Sequence, residues 1–584
     1  MVSRGSAILF QYEKPGLRPP SEFRPQQQMK GRIRPNDGFR GVKIIIRTCV
    51  LLVFIAHCSV AFGGLEPGRR SVAKLEEERA SDAPAFIWRS GSSPRHVSTY
   101  NNFTSYQVNV DSDGNNITGD AANEPSITVN PLNPGRMSIG WRQFNSALSN
   151  FRQGGWAYTT NGGTSWTFPG TLDTGFRSDP VLQSDAAGNF FYLSLVPNFL
   201  DDLWFSANGG QSYAFIGPAL GGDKQWFTID NTNGPGRGYL YQSWSSLGNN
   251  FNGQFTRSLD SGATWMDPVA IPNSPSDGTL DVDSSGNVYI GGVNFDDGAT
   301  FWCVRSSNAK DPAVTPTFDQ IAAVDLGGRF GGTGSGINPA GLVGQVYLAV
   351  DRSGTITSNN VYLLASVFRT GLQSNADVMF VRSTDGGVNF DPPRQINDDP
   401  ANPRKWHWFG TLAVAPNGRI DVVWFDTRNA ANNTDSQLFY SYSLDGGQSW
   451  SANVAVSEPF NPFLGYPNQQ KMGDYISMVS DSTGASVAYC ATFNLEQDIY
   501  YVRVGPPAAS PVFAVRSITR DTNGATIIFS SEPNKTYRCD YSDMPGGAWH
   551  QLQTGIQGTG GNVSVFDPAA ADTLTRFYRI VVLP

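Results

Sequence analysis

Histidine, cysteine and charge are all scarce in this chain of 584 residues. It contains four histidines and five cysteines, and only 16% of its residues are charged. Beyond residue 61 the cysteines are reduced to Cys303, Cys490 and Cys539, whose wide spacing predicts neither a zinc site nor a disulfide framework. So few histidines also argue against a histidine metal site or a Ser-His-Asp triad. We therefore predict no metal and no cofactor.

The charge balance argues against a nucleic-acid partner. The formal net charge is −8, and the central part of the chain carries no basic stripe. Aromatic residues, in contrast, make up 12% of the chain. Most of them are expected to pack between sheets, and the remainder favour contact with carbohydrate.

Long hydrophobic runs are missing as well. The apolar stretch Thr48–Ala56 near the N-terminus is too short for a transmembrane helix. Lys43 and Arg47 precede it, and Ser59-Val60-Ala61 offers a small-x-small cleavage site, so the region predicts a signal peptide. We expect a secreted, periplasmic or cell-surface protein that is not stably inserted in a membrane after cleavage.

One turn signature recurs in a chain otherwise rich in glycine and proline. The chain has 63 glycines and 37 prolines, which suit many short strands joined by tight turns. In the signature, Asp or Asn bonds nearby backbone N–H groups, Gly supplies a positive φ and an aromatic residue packs beneath. Its five copies mark a repeat architecture. They are Thr159–Trp166, Ser206–Tyr213, Ser258–Trp265, Ser383–Phe390 and Ser443–Trp450.

These five turns resemble the Asp-box, or bacterial neuraminidase repeat, of sialidase-like β-propellers. The resemblance spans residues 159–450 and implies a propeller whose boxes lie on outer hairpins, remote from the active site. In that family three arginines hold the substrate carboxylate, a tyrosine assisted by a glutamate attacks, and an aspartate serves as acid and base. The resemblance therefore implies a fold more firmly than an activity.

A second recurring hairpin sets the number of blades. It is an extended run, a turn and a strongly apolar strand, and seven copies favour seven blades, with six as the alternative. We predict an all-β propeller of four-stranded antiparallel blades, closed by a strand near Tyr106–Val110. The copies are Ile127–Trp141, Val181–Leu195, Phe227–Trp244, Leu280–Val293, Val346–Val367, Leu412–Trp424 and Ile476–Ala491.

Composition divides the chain into four parts. Residues 1–61 are predicted to hold an N-terminal extension and the signal peptide, and 62–105 a linker or poorly ordered arm. Residues 106–505 form the predicted propeller. Residues 512–584, with six short strand patterns, are predicted to form a small β-sandwich-like module.

Propellers usually bind ligands at one end of the central channel, where the innermost strands begin and the second strands finish. Residues at those positions are therefore the candidate site residues. Glycoside hydrolysis needs an acid and an opposing nucleophile or base, and arginine forks bind a carboxylate. We predict Asp179 or Asp223 as the acid and Tyr475 as the nucleophile. The substrate-binding candidates are Arg142, Arg369, Arg428, Trp406 and Trp408.

Two functions stay open at this stage, beside a third possibility, a scaffold whose channel Arg and Asp side chains are all paired and leave no pocket. The first is an exported, sialidase-like propeller acting on glycans, in its sharpest form an exo-α-sialidase for acidic sugars. The second is a non-catalytic propeller that binds polysaccharide or a protein partner. Asn123-Glu124-Pro125 stands where catalytic sialidases carry an Arg-Ile-Pro type motif, which weakens the first hypothesis.

Overall fold

The computed structural model describes residues 91–246, 250–371, 375–507 and 514–583. The predicted signal peptide and residues 62–90 of the predicted linker lie outside the described residues. Within the described ranges, the secondary structure consists of β-strands and one short 3₁₀ helix. A helix with the length and apolar character needed to cross a bilayer does not occur there.

Seven antiparallel sheets follow one another between Val97 and Val504. The N-terminal strands are β1 (Ser92–Ser93), β2 (Val97–Tyr100), β3 (Phe103–Gln107) and β4 (Asn116–Ile117). Blade one comprises β5 (Ala121–Val129), β6 (Met137–Phe144), β7 (Arg152–Thr159) and β8 (Thr167–Thr171). Blade two comprises β9 (Ser178–Ser184), β10 (Phe190–Leu195), β11 (Asp201–Ser206) and β12 (Ala214–Pro218). Blade three comprises β13 (Trp226–Ile229), β14 (Leu240–Ser243) and β15 (Phe255–Ser258).

The remaining four blades complete the set. Blade four comprises β16 (Leu280–Val282), β17 (Val288–Val293), β18 (Phe301–Ser306) and β19 (Gln320–Val324). Blade five comprises β20 (Gly328–Phe330), β21 (Tyr347–Val350), β22 (Val361–Arg369), β23 (Ala376–Ser383) and β24 (Arg394–Gln395). Blade six comprises β25 (His407–Val414), β26 (Ile420–Asp426), β27 (Gln437–Ser443) and β28 (Val454–Ala455). Blade seven takes β29 (Ser477–Asp481), β30 (Gly484–Ala491) and β31 (Asp498–Val504).

The innermost strands form a closed ring. Strands β5, β9, β13, β16, β21, β25 and β29 each contact the next, and β29 contacts β5. This arrangement is a seven-bladed β-propeller, and it confirms the fold class expected from the seven recurring hairpins. Each of the seven predicted hairpins spans the innermost strand of a blade and the strand that pairs with it.

The N-terminal segment closes the ring. The last blade has the strand order β2-β3-β31-β30-β29, in which Ser105 pairs with Val502 and Gln107 with Tyr500. Strands β2 and β3 lie largely within 62–105, the range expected to be a linker. The alternating pattern of Val97–Tyr100 was too short to predict a strand by itself, and its pairing with Phe103–Gln107 supplies the missing partner.

Hydroxyl side chains satisfy backbone groups on the inner edges of the blades. The Ser477 hydroxyl accepts a bond from Ile127 N at 3.3 Å, and the Ser126 hydroxyl accepts one from Leu182 N at 2.9 Å. Thr279 does the same for Leu348 N at 2.8 Å. An unpaired buried N–H group costs free energy, so these bonds stabilise the contacts between three pairs of neighbouring inner strands.

The five recurring turns have one hydrogen-bond pattern. In the turn at Ser443, the hydroxyl accepts from Gly447 N at 2.8 Å and Asp445 Oδ1 accepts from Ser449 N at 2.9 Å. Each turn joins the third strand of a blade to the following outer segment. They therefore lie at the ends of the third strands, on the side of the ring where the innermost strands finish.

Residues 515–583 form a separate pair of three-stranded sheets. The strands are β32 (Val515–Asp521), β33 (Gly524–Ser530), β34 (Thr536–Ser542), β35 (His550–Gln557), β36 (Asn562–Asp567) and β37 (Phe577–Leu583), with a 3₁₀ helix at Pro568–Asp572. Their orders are β32-β33-β36 and β35-β34-β37. Ile527, Phe529, Tyr537 and Val565 pack between the sheets, as expected for the small β-sandwich-like module.

Candidate functional site

The end of the ring at which innermost strands begin is called the first face, and the opposite end the second face. Six charged side chains from four blades, or from the loops that lead into them, meet behind the first face and are called the ionic cluster. All six are almost completely buried. They are Glu124, Arg142, Asp179, Lys224, Lys471 and Asp474.

Lys224 lies at the centre of this cluster. Its ammonium group is 2.7 Å from Asp179 Oδ2 and also contacts Asp474 Oδ2. Burial opposes the charge of Lys224, but the two aspartates outweigh it and raise the pKa of the amine above its ordinary value. Burial likewise opposes the charge of Asp179, yet Lys224 and Arg142 hold the pKa of that carboxyl below its ordinary value. Asp179 is thus a paired carboxylate in this structure.

Glu124 and Arg142 form the second half of the cluster. Arg142 Nε is 3.2 Å from Glu124 Oε2 and donates to Asn123 Oδ1 at 2.8 Å. Lys471 Nζ is 3.7 Å from Glu124 Oε1 and 3.1 Å from Asp474 Oδ2. Burial outweighs Arg142 and raises the pKa of Glu124 to about 7. Such a pKa suits a general acid, but the carboxyl has no exposed surface.

Tyr475 is buried beside the cluster. Its hydroxyl donates to Pro180 O at 2.9 Å, and its ring packs edge-on against Trp226. Burial, followed by the charges of Glu124 and Asp179, raises the pKa of the phenol well above its ordinary value. Asp223, the other predicted acid, is also buried and adjoins Lys224. The hydrogen bond and burial of Tyr475 give it a packing role in this structure.

A segment of blade five contacts the cluster at Asp474. Residues 331–346, between β20 and β21, extend past blade six to the loop that leads into blade seven. Asn338 donates to Gly473 O at 2.8 Å and accepts from Met472 N at 2.9 Å. Leu342 N donates to Asp474 Oδ1 at 2.8 Å. The segment is thus hydrogen-bonded to Asp474 of the cluster and to the loop that leads into blade seven.

A second charged group surrounds His407 on blade six. His407 Nδ1 lies 3.0 Å from Asp377 Oδ1, and Nε2 lies 3.0 Å from Asp399 Oδ1. Burial opposes its charge, but hydrogen bonds to these two aspartates raise the pKa of His407 to about 10. Asp426 Oδ2 lies 3.7 Å from Nε2. His407 is therefore expected to be an imidazolium at neutral pH.

Arg428 and Arg369 adjoin this group. Arg428 Nη2 lies 2.7 Å from Asp426 Oδ2 and 3.1 Å from Asp399 Oδ1. Arg369 Nη1 lies 4.0 Å from Asp377 and donates to Gln395 at 2.9 Å. Arg142 instead belongs to the ionic cluster. The structure thus divides the three predicted arginines between two carboxylate-rich groups.

Asp399, His407 and Asp426 are also the described residues best placed to hold a metal ion, since their ligand atoms lie within 4.8 Å of one another. Asp399 already contacts the imidazole of His407, which is expected to be protonated, and Arg428 contacts both Asp399 and Asp426. Two cations inside the set oppose the binding of a third.

The two predicted stacking residues differ in burial. Trp408 is completely buried among Phe409, Phe425 and Ser436, to whose hydroxyl its indole donates at 3.2 Å. It therefore has no face available to a sugar ring. Trp406 is half-buried and lies against Phe368, which leaves part of its ring accessible.

Several residues that build these groups were not among the sequence candidates. Lys471 contacts Glu124 and Asp474, and Asn338 bonds to the loop at Met472 and Gly473. Asp377 and Asp399 contact His407. The spacing Lys471-x-x-Asp474 is the one local signal, because it brings the two side chains within 3.1 Å. The others come from distant parts of the chain and are brought together only by the ring.

No protein-family model and no curated protein match this chain. Solved structures that resemble it include a leech intramolecular trans-sialidase in complex with 2,7-anhydro-Neu5Ac, with 14% identity, 68% of this chain and 70% of that chain covered, and a TM-score of 0.33. A Trypanosoma rangeli sialidase has 10% identity, coverage of 85% and 88%, and a TM-score of 0.31. The SapL1 lectin in complex with α-methyl fucoside has 9% identity, coverage of 75% and 96%, and a TM-score of 0.31. Similarities this low establish neither a substrate nor an activity.

Proposed function

We propose that this chain is an exported β-propeller that binds glycans without hydrolysing them. The observation that carries the absence of hydrolysis is the ion pairing of Lys224. Its side chain has no exposed surface, and its ammonium group contacts both Asp179 and Asp474. A glycosidase needs an accessible carboxyl group at the scissile bond. Here both carboxyl groups predicted to serve that purpose, Asp179 and Asp223, are buried, and Asp179 is paired with Lys224.

The sialidase hypothesis requires two further features at the first face. A tyrosine nucleophile must reach the sugar, yet the Tyr475 hydroxyl is bound to Pro180 O. Three arginines must converge on one carboxylate, yet Arg142 pairs with Glu124 while Arg428 pairs with Asp426. A fold-level resemblance does not supply these features, because function depends on the site.

The glycan part of the proposal rests on the chain's aromatic, weakly charged composition and on its sialidase-like recurring turns. The alternative is that the propeller binds a protein partner. Export is proposed from the apolar stretch Thr48–Ala56, which lies outside the described residues.

Hydrolysis and binding can be tested on the same preparation of purified protein. We expect no turnover of a fluorogenic α-sialoside, whereas an active glycosidase would turn over about 1–1,000 times per second. We expect binding on a glycan array. Asp179→Asn is the matched variant, because it keeps the shape of the side chain. Turnover by the wild type that falls about 100-fold or more in Asp179→Asn would show that the proposal is wrong.

A further inference from the structure

The central channel contains a cavity that is separate from the ionic cluster. Its volume is about 370 Å³, within the range of small-molecule sites. All seven innermost strands contribute to its wall. Its lining includes Ser126, Gln183, Trp226, Thr228, Tyr347 and Ser477.

An aromatic group separates the cavity from the ionic cluster. Trp226 and Tyr347 begin their strands, and their ring centroids are 6.0 Å apart at an interplanar angle of 82°. Tyr475 also packs edge-on against Trp226, with the ring centroids 5.4 Å apart. Trp226 and Tyr347 line the cavity and form its floor at the first-face end.

The mouth of the cavity lies at the second face. The lining residues at the far ends of the innermost strands, Asn231, Arg352 and Pro416, are exposed. Arg352 Nη1 lies 2.5 Å from Asp281 Oδ1, so the two charged residues of the lining neutralise each other. A charged ligand inside would lack a counter-charge, and burying an unpaired charge is costly. The lining therefore favours a neutral ligand.

Hydroxyl groups in the wall can bind a polar ligand. Ser126 and Ser477 each accept a bond from a backbone N–H, and a hydroxyl that accepts still has its own proton to donate. Thr228 adds a third hydroxyl and Gln183 an amide. A wall of donors above an aromatic floor matches the chemistry of a sugar, which has polar hydroxyl edges and an apolar face of C–H groups.

We propose that this cavity binds one neutral, monosaccharide-sized residue of a glycan through the second face. The inference rests on the proposed glycan-binding function and gives it a site and a substrate class. It places binding on the opposite side of the ring from the face predicted by the sequence.

Isothermal titration of the full protein with four probes tests this site. The probes are methyl α-glucoside, methyl α-galactoside, methyl α-mannoside and methyl α-fucoside, with sialyllactose as the charged comparison. We expect at least one neutral glycoside to bind. Thr228→Val should weaken that binding about 2- to 10-fold, because it removes one hydrogen bond at nearly constant volume. Ala413→Phe should abolish it, because Ala413 lines the cavity and a phenyl ring would fill it.

Thr128→Val is the matched control, since Thr128 lies on innermost strand β5 but does not line the cavity. Its binding should stay within about twofold of the wild type. Ala349→Leu provides a second filling variant if Ala413→Phe does not fold. The inference is wrong if no neutral glycoside binds, or if a folded filling variant binds as tightly as the wild type. Glycan-array binding that survives the filling variants would overturn this site and leave the proposed function standing, whereas absence of all array binding would overturn that function.

Discussion

Lys224 compensates two buried carboxylates, and its removal should reveal the electrostatic cost of the ionic cluster. In Lys224→Met, Asp179 and Asp474 lose the ammonium group that contacts both of them. We expect a loss of about 3–5 kcal/mol in the free energy of unfolding, since removing one partner of a buried ion pair leaves an uncompensated charge. Urea unfolding followed by tryptophan fluorescence measures the loss.

Arg352→Met is the matched comparison for that substitution. Its ion pair with Asp281 lies at the surface, and the arginine side chain is 44% exposed. An exposed pair contributes at most about 1 kcal/mol. Equal losses in the two variants would mean that burial does not govern the strength of the Lys224 pairs.

His407 should make stability depend on pH. Its folded-state pKa of about 10 lies above the value of about 6.5 for an unfolded histidine. A raised histidine pKa contributes stability that is complete below about pH 6.5 and is lost as the pH rises towards 10. The groups that face the imidazole are Asp377, Asp399, Asp426 and, through them, Arg428.

The measurement is the free energy of unfolding of the wild type and His407→Gln between pH 6 and 10. We expect the difference between them to be largest at pH 6 and to shrink as the pH rises. A difference that stays constant across this range would contradict a protonated His407.

At the scale of the element, the recurring turns end the third strands and also pack against the neighbouring blade. Gly163 has a φ of +88°, and a Cβ there would lie 2.2 Å from Tyr501 Cε1 on the last blade. Gly162, one residue earlier, has a φ of +75° but open space around it. A comparison of substitutions at Gly162 and Gly163 therefore distinguishes the cost of the backbone conformation from the cost of a steric overlap.

We therefore expect Gly162→Ala to cost about 1–2 kcal/mol through its backbone conformation alone. Gly163→Ala should cost a further 1–3 kcal/mol, roughly, because the methyl group overlaps the tyrosine ring. Thermal unfolding of both variants tests the difference. Equal costs would show that the turn does not depend on its contact with Tyr501.

The ring as a whole is closed by the N-terminal strands. Deleting residues 1–107 removes β2 and β3 and leaves the edge of β31 unpaired. We expect the melting temperature to fall by several degrees, since each kcal/mol is worth about 2–4 °C in a domain of 150–250 residues, and the exposed edge to promote self-association. Deleting residues 1–90 keeps both strands and is the control. Identical melting curves and elution volumes for the two deletions would show that closure is dispensable.

Much of the fold was predictable because its signals are local. The five turns and seven hairpins depend on residues a few positions apart, such as Ser443, Asp445 and Gly447, whose hydrogen bonds form within the turn. The predicted six strands of the terminal module are local patterns as well. The site was less predictable, because Asp179, Lys224 and Asp474 come from three blades and meet only in the closed ring.

The sequence by itself determined the repeat and the all-β class and favoured seven blades over six, since short-range hydrogen bonding and alternating hydrophobicity need no distant partner. It also placed Asp179, Arg142 and Tyr475 near one end of the channel. Only the tertiary structure decided what those residues do there. Ring closure buries Lys224 between two aspartates and leaves the open cavity at the second face, because solvent access is a property of the assembled blades.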